Sequence, residues 1–290
     1  MRVQTFSILA GSEACNARCP FCVSKMTPPM GIELKEPEVN WRNFRKACRL
    51  AQLTDVTTVM FTGKGEPTLF PKQITRFMDE LARYDFPIIE IQTNGIPIAE
   101  KPEIYDQYLK EWYEKGLTTI AISIVHYDTE KNRQNYLPSK KSYIDLPALI
   151  KKLHDFKFSV RLTCIMVREG INGVAELERL VQFAKENKVE QLTVTPVNKP
   201  EETENEEVWH WTKENHLLPE QLKEIINYLE KNGSHLMTLS HGAKVYDLHG
   251  QNICLNYCLT VQPESETMRN IIFFPDGHPR PYWQYPATLF

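Results

Sequence analysis

Val3-Gln4-Thr5-Phe6-Ser7-Ile8-Leu9-Ala10-Gly11-Ser12-Glu13-Ala14-Cys15-Asn16-Ala17-Arg18-Cys19-Pro20-Phe21-Cys22 joins an apolar run containing β-branched residues to three cysteines within eight residues. Val3–Leu9 reads as a strand, and the cysteines fall in the loop that leaves it. The spacing C-x3-C-x2-C gathers three thiolates at one strand exit, and thiolates so gathered bind a soft metal. A structural zinc site normally takes four protein ligands, yet the next cysteine, Cys48, lies in a predicted helix, so a zinc loop would need a distant fourth ligand. Three cysteines suit a four-iron cluster better, because one iron then keeps an open position for a small molecule.

Outward from this loop, as far as Val197, apolar β-branched runs alternate with amphipathic stretches, the pattern of a parallel sheet covered by helices. The further strand candidates are Val56–Phe61, Ile88–Gln92, Thr118–Ile124, Phe158–Met166 and Gln191–Val197. Helices are predicted near Trp41–Leu53, Lys72–Tyr84, Lys101–Lys115, Tyr143–Asp155 and Val174–Asn187. An α/β repeat of this kind closes into a full or partial barrel or lies open as a doubly wound sheet, and in either case chemistry collects where strands end.

The polar segment Asn198–Asn215 breaks the rhythm with a glutamate run in Glu201–Glu207 and then Trp209, His210 and Trp211. It reads as a solvated excursion or as a lid whose tryptophans close over a pocket. A helix at Pro219–Lys231 leads into short strand-like pieces from His235 to Phe290. The expected division is a core over residues 1–197, an acidic connection over 198–218 and a small C-terminal capping module over 219–290, with Tyr282 and Trp283 as apolar walls.

The 290 residues are 42% hydrophobic, enough to fill a sizeable core. With 34 Lys and Arg against 37 Asp and Glu, a net charge of −3 gives no field that would concentrate a nucleic acid. No apolar run approaches the roughly 18 residues a membrane span needs. A cytoplasmic protein is expected, and in a reducing compartment seven cysteines do not read as a disulfide framework.

The C-x3-C-x2-C loop, with Phe21 before its last cysteine, resembles the signature of the radical S-adenosylmethionine superfamily. Thr62-Gly63-Lys64-Gly65-Glu66-Pro67 is similar to that family's Gly-Gly-Glu-Pro turn, with Lys64 in place of the first glycine; a positive φ there would be strained. The resemblance implies a partial (βα)6 parallel-strand barrel with a small C-terminal α+β module. It also implies a [4Fe-4S] cluster on Cys15, Cys19 and Cys22, with S-adenosylmethionine contacted by Phe21, Gly65, Glu66, Pro67, Thr93, Asn94, Ser123 and Arg161. Arg161 would take the methionine carboxylate. The implied activity is reductive cleavage of S-adenosylmethionine to a 5′-deoxyadenosyl radical that abstracts hydrogen from a small-molecule substrate, with electrons from a donor such as flavodoxin or ferredoxin. His126, Asp128, Arg133 and Arg168, on post-strand loops, are candidates for substrate contact.

Cys254 and Cys258 form a remote C-x3-C pair, followed by Phe274-Pro275-Asp276-Gly277-His278-Pro279. This resembles the auxiliary-cluster module of the molybdenum-cofactor cyclase and SPASM-twitch-like branches, in which Asp-Gly leads to a further cysteine. Here Pro281, Tyr282 and Trp283 follow instead, so an auxiliary cluster would need His278, His241 or another residue. Two buried cysteines, or thiols acting near the pocket mouth, are the alternatives. Cys48 and Cys164 read as core residues. Other functions compatible with the cysteine loop are a glycyl-radical-enzyme activase, a peptide- or RNA-modifying enzyme, and a non-catalytic zinc or iron–sulfur protein. An activase would carry a Gly-Pro-Gly-Ile-Arg-type entry, where this chain has Leu9-Ala10-Gly11-Ser12-Glu13.

Overall fold

Apolar residues three and four apart decide which segments coil. In Trp41–Leu53 they are Phe44, Ala47, Cys48 and Ala51, all fully buried, and Asn40 caps the start by accepting from the Asn43 amide at 3.1 Å. In Leu146–Asp155 the stripe is Leu146, Leu149, Ile150 and Leu153 behind an Asp145 cap. The computed structural model describes residues 2–27, 29–31, 34–140, 143–197, 205–239, 241–256, 267–283 and 286–290.

In chain order the first part comprises β1 (Arg2–Leu9), α1 (Trp41–Leu53), β2 (Thr58–Thr62), α2 (Pro71–Leu81), β3 (Ile88–Thr93), α3 (Ile96–Glu100) and α4 (Pro102–Glu114). It continues with β4 (Thr119–Ile124), α5 (Thr129–Tyr136), α6 (Leu146–Asp155), β5 (Ser159–Met166), α7 (Val174–Glu186) and β6 (Gln191–Pro196). Strands β1 to β6 pair in sequence order and in parallel, giving the α/β partial barrel. Period-two alternation sorts their side chains. Phe6 meets Phe44 of α1 at 6.0 Å and Phe61 meets Phe77 of α2 at 6.0 Å, so this face packs on helices. Burying each such phenylalanine contributes about 1.5–3 kcal/mol. The opposite parity, Thr62, Gln92, Ser123, Ile165 and Thr195, faces the lumen and lines a cavity.

The C-terminal α+β part joins the sheet of the barrel. After α8 (Glu206–Asn215) and α9 (Pro219–Asn232) come β7 (Ser234–Thr238), β8 (Lys244–Leu248), β9 (Gln251–Leu255), β10 (Thr267–Phe273) and β11 (Pro279–Arg280). β9 pairs in parallel with β6, and β10 in parallel with β1. One sheet therefore runs β11-β10-β1-β2-β3-β4-β5-β6-β9-β8-β7, with antiparallel pairs only at its two ends. Phe273 packs on Phe44 at 5.1 Å, and Trp283 on Phe274 at 5.9 Å in a cluster with Leu9 and Ile272. The tail thus extends both edges of the barrel; Trp283, half-buried, packs beside β1, and neither it nor Tyr282, expected as apolar walls, lines the cavity.

Residues 198–204 of the acidic connection lie outside the described residues. From Glu206 the chain is helical, capped by Asn205, whose side chain accepts from the Val208 amide at 3.0 Å. Among the described residues no helix is long and apolar enough to cross a membrane.

Candidate active site

The strand exits gather around a cavity of about 810 Å³, within the usual range of small-molecule pockets, roughly 300–1,000 Å³. Cys15, Cys19 and Cys22 all line it. Backbone bonds seat their loop: the Glu66 amide donates to Ala14 O at 2.9 Å, the Arg18 amide to Tyr136 O at 3.0 Å and the Ser139 amide to Asn16 O at 2.9 Å. Asn94 Nδ2 donates to Asn16 Oδ1 at 2.7 Å. Phe21 is buried edge-on against Tyr136 at 5.6 Å, with Trp211 at 5.7 Å beyond it. The tryptophan expected over the pocket thus backs the cysteine loop.

Burial pushes the Cys15 thiol up to about 11, with Glu66 and then Cys22 adding to the rise. Burial also raises Cys19, again with Cys22 and Cys15 acting on it. The three thiols are close enough to repel one another as thiolates, a repulsion that a shared positive centre would relieve. Even so, among the described residues no three His, Cys, Asp or Glu side chains converge on a point where one ion would sit.

The turn after β2 supplies the opposite wall. Gly63, Lys64 and Gly65 all avoid positive φ, so Lys64 is unstrained where a glycine was expected. Its Nζ reaches back across the cavity rim, donating to Thr27 Oγ1 at 2.5 Å and to Thr27 O at 3.2 Å. Glu66 is buried, and its carboxylate accepts from the Thr68 amide at 3.0 Å, Thr68 Oγ1 at 2.6 Å, Thr93 Oγ1 at 2.7 Å and the Asn94 amide at 2.8 Å. Burial raises its pKa while these donors pull the other way. Pro67 follows at the start of a short helical turn, and Ser123 closes the lumen side.

The Radical SAM superfamily pattern matches residues 10–208. The chain belongs to the radical SAM superfamily. No curated protein matches it in sequence. Among solved structures it is similar to Streptococcus suis SuiB bound to S-adenosylmethionine, with a TM-score of 0.62 and 16% identity over 97% of this chain and 60% of that one. It is similar to anSMEcpe with bound AdoMet at a TM-score of 0.55 and 14% identity, over 79% of this chain and 59% of that one. For methylornithine synthase (PylB) the TM-score is 0.55 and the identity 16%, over 91% and 74%. The chain thus spans 60% of the length of SuiB, and at these identities the likeness is one of fold.

Several contacts expected from the sequence fall away from this cavity. Arg161 does not line the cavity; it is in register with Ala121 and Gln191, deep in the lumen, and its Nη2 pairs with Glu90. The side chain of Ala121 is too small to block that reach across β4. His126 is buried, its Nδ1 accepting from the Asp128 amide at 2.9 Å and its Nε2 3.4 Å from Glu176, so it closes a loop. Asp128 caps α5 by accepting from the Lys131 amide at 2.9 Å. Arg133 pairs with Glu130 on the exposed face of the same helix, and Arg168 is exposed after β5. None of these four lines the cavity.

Cys254 faces the lumen, in register with Thr193, and burial raises its thiol against the opposing effect of Arg161 and Arg269. Cys258 lies outside the described residues. His278 stands on an exposed turn 3.5 Å from Asp276, and both ring nitrogens of His241 are engaged, at 3.1 Å from Gln4 Oε1 and 3.2 Å from Asn256 Oδ1. Cys48 and Cys164 are fully buried in the core, Cys164 donating to Val125 O at 3.3 Å. Sequence reading missed Thr68 and Thr27, which hold Glu66 and Lys64, and the lining residues Tyr136 and Thr195. The lumen parity of Thr195 was available from its strand; the others depend on contacts between distant segments.

Proposed function

We propose that this radical SAM enzyme holds a single [4Fe-4S] cluster on Cys15, Cys19 and Cys22, binds S-adenosylmethionine beside it and acts on a small molecule in the barrel. The observation that carries the reading is that the three cysteines and the Glu66 turn line one cavity and are bonded to each other through Ala14 and Asn16. A single zinc would need its ligands within about 2.3 Å of one centre. Among the described residues that line the cavity no fourth cysteine and no histidine joins the three thiols, so the set suits a four-iron cluster with one open iron better than a closed zinc site. When bound, cluster and S-adenosylmethionine supply reductive carbon–sulfur cleavage and a 5′-deoxyadenosyl radical for hydrogen abstraction.

The chain's own share is placement and exclusion of water. Glu66, fixed by four donors, offers negative charge to the methionine ammonium, and Thr93, Asn94 and Ser123 border the nucleoside. The superfamily's chemistry requires an electron donor, and the exposed cysteine-loop rim carrying Arg18 and Lys25 is a suitable face for an acidic one such as flavodoxin or ferredoxin. We place the chain beside the branches with an appended C-terminal module, but without their second cluster. His241 is committed to other partners and His278 is exposed, so Cys254 lacks a described set of co-ligands.

Anaerobic reconstitution tests the reading. About four irons per chain are expected, by the stoichiometry of one cubane, together with 5′-deoxyadenosine formation under reduction. Replacing Cys15, Cys19 and Cys22 with Ala should abolish both, whereas Cys254→Ala should leave iron near four. Retained 5′-deoxyadenosine formation in the triple variant would refute it.

A further inference from the structure

The loop that carries the cysteines is held at both ends by one short stretch, Lys64-Gly65-Glu66. Before Cys15, Ala14 O accepts from the Glu66 amide at 2.9 Å. After Cys22 the chain makes a single helical turn, Val23–Met26, that buries none of its side chains, so apolar packing does little to hold it. Its closing carbonyls meet Lys64 instead. Lys64 Nζ donates to Ser24 O at 3.4 Å, to Thr27 O at 3.2 Å and to Thr27 Oγ1 at 2.5 Å. Thr27 Oγ1 reaches Val23 O and Ser24 O only at 3.4 and 3.3 Å, so the bonds the turn makes within itself are long. Lys64 lines the cavity and is 5% exposed, and burying an ammonium costs free energy unless acceptors surround it. The backbone does not call for lysine here, since the position avoids positive φ and accepts any side chain.

We propose that Lys64 is a positioning residue that clamps the cysteine loop onto the turn carrying Glu66. The clamp is a property of the chain alone; its purpose rests on the proposed function, in which Cys22 holds the cluster and Glu66 the methionine ammonium. An ammonium has three N–H donors, and the three acceptors here belong to residues two and five positions after Cys22. Cys22 opens the helical turn, its carbonyl accepting from the Lys25 amide at 3.0 Å, so fixing the end of the turn fixes the direction of the thiol. Lys64 and Glu66 stand two residues apart, and Glu66 is itself anchored by four donors. The bonds from Lys64 to Ser24 and Thr27 therefore set the distance between the last cysteine and the Glu66 carboxylate. Without them the turn is free to move outward with the exposed Pro29 and Gly31 beyond it.

Cysteine-resolved alkylation of the full-length apo chain, read by peptide mass spectrometry, tests the clamp without a cluster. Lys64→Met keeps the stem and removes the donors. It should speed alkylation of Cys22 about tenfold, the scale of one lost charge-assisted contact. Cys48 and Cys164, fully buried in the core, should stay as slow as in the wild type. Loss of a cation disfavours nearby thiolates and by itself slows alkylation, so a faster rate reports a looser loop. Thr27→Val, which removes the nearest acceptor and leaves Lys64 in place, should act in the same direction. Lys64→Arg, which keeps donors on a long stem, should return the rate most of the way to that of the wild type. In the anaerobically reconstituted holoenzyme, Lys64→Met should bind S-adenosylmethionine about tenfold more weakly at unchanged iron content. The proposal is overturned by an unaltered Cys22 rate in Lys64→Met, by equal acceleration at Cys22, Cys48 and Cys164, by a Lys64→Arg rate as fast as that of Lys64→Met, or by unaltered S-adenosylmethionine affinity. A wild type that assembles no cluster would count against the proposed function instead, and the apo rates then decide the clamp by themselves.

Discussion

Gly65 owes its place to space, since its φ is ordinary. A Cβ there would lie 2.0 Å from Ala14 O and 2.8 Å from Glu13 C, and neither backbone can yield without moving the cysteine loop. Gly65→Ala is therefore expected to cost about 1–3 kcal/mol in denaturant titrations and to lower iron loading. Gly173→Ala, with nothing within 4 Å of the added methyl, should stay within about 0.5 kcal/mol. Glu66 acts through its charge as well as its bonds. Glu66→Gln turns one acceptor oxygen into a donor facing the Asn94 amide or the Thr68 and Thr93 hydroxyls, and it removes the charge offered to the ligand's ammonium. S-adenosylmethionine affinity should fall roughly ten- to a hundredfold with iron content nearly unchanged; equal affinity would leave Glu66 a structural residue. That Cys15, Cys19, Cys22, Gly65 and Glu66 meet at one cavity was legible because local spacing after β1 and β2 carries them. Lys64 was not, because its partner Thr27 belongs to a different loop. Arg161 was expected at the cavity and instead pairs with Glu90 deeper in the lumen, since strand position gives the face of a side chain but not its depth in the barrel.

At the scale of elements, the six parallel strands and their larger helices were readable because apolar periodicity forms before any distant contact is known. α5 and α8 escaped that reading for a common reason. Only Asn132 and Tyr136 are buried in α5, and only Val208 and Thr212 in α8, so neither helix carries a full apolar stripe. Their helical state rests on the Asp128 and Asn205 caps and on one or two contacts with the cysteine loop. For α8 that contact is Trp211 on Phe21, whereas Trp209, half-buried, lies beside His210 and 5.1 Å from Lys213 Nζ. Trp211→Ala should destabilise the apo protein by about 1–3 kcal/mol and speed alkylation of Cys22, because the wall behind Phe21 is lost. Trp209→Ala, on another part of the α8 surface, should leave the rate of Cys22 alkylation little changed. Equal effects of the two substitutions would mean that α8 does not support the loop through Trp211.

Over the whole molecule the sheet is continuous, and this continuity was the least legible feature of the sequence. Short strands and turn signals after His235 look like an added unit, because nothing local marks β9 and β10 as parallel partners of strands far away in the chain. β10 pairs with β1 from Arg2 to Ile8, and β9 with β6 from Leu192 to Val194, so the tail shares backbone hydrogen bonds with both ends of the barrel. The two arrangements differ in cooperativity. A separate cap would unfold in its own transition and leave the barrel intact, whereas a shared sheet should lose both together. Phe273→Ala is the informative substitution. Its ring is fully buried on β10 against Phe44 of α1, so the loss spans the junction of tail and core. A cost of about 3–5 kcal/mol is expected. It should move a single unfolding transition, seen at the same denaturant concentration by far-ultraviolet circular dichroism and by tryptophan fluorescence. A first transition that shifts in Phe273→Ala while a second stays fixed would mean that the tail folds apart from the barrel, and that the continuous sheet does not act as one cooperative unit.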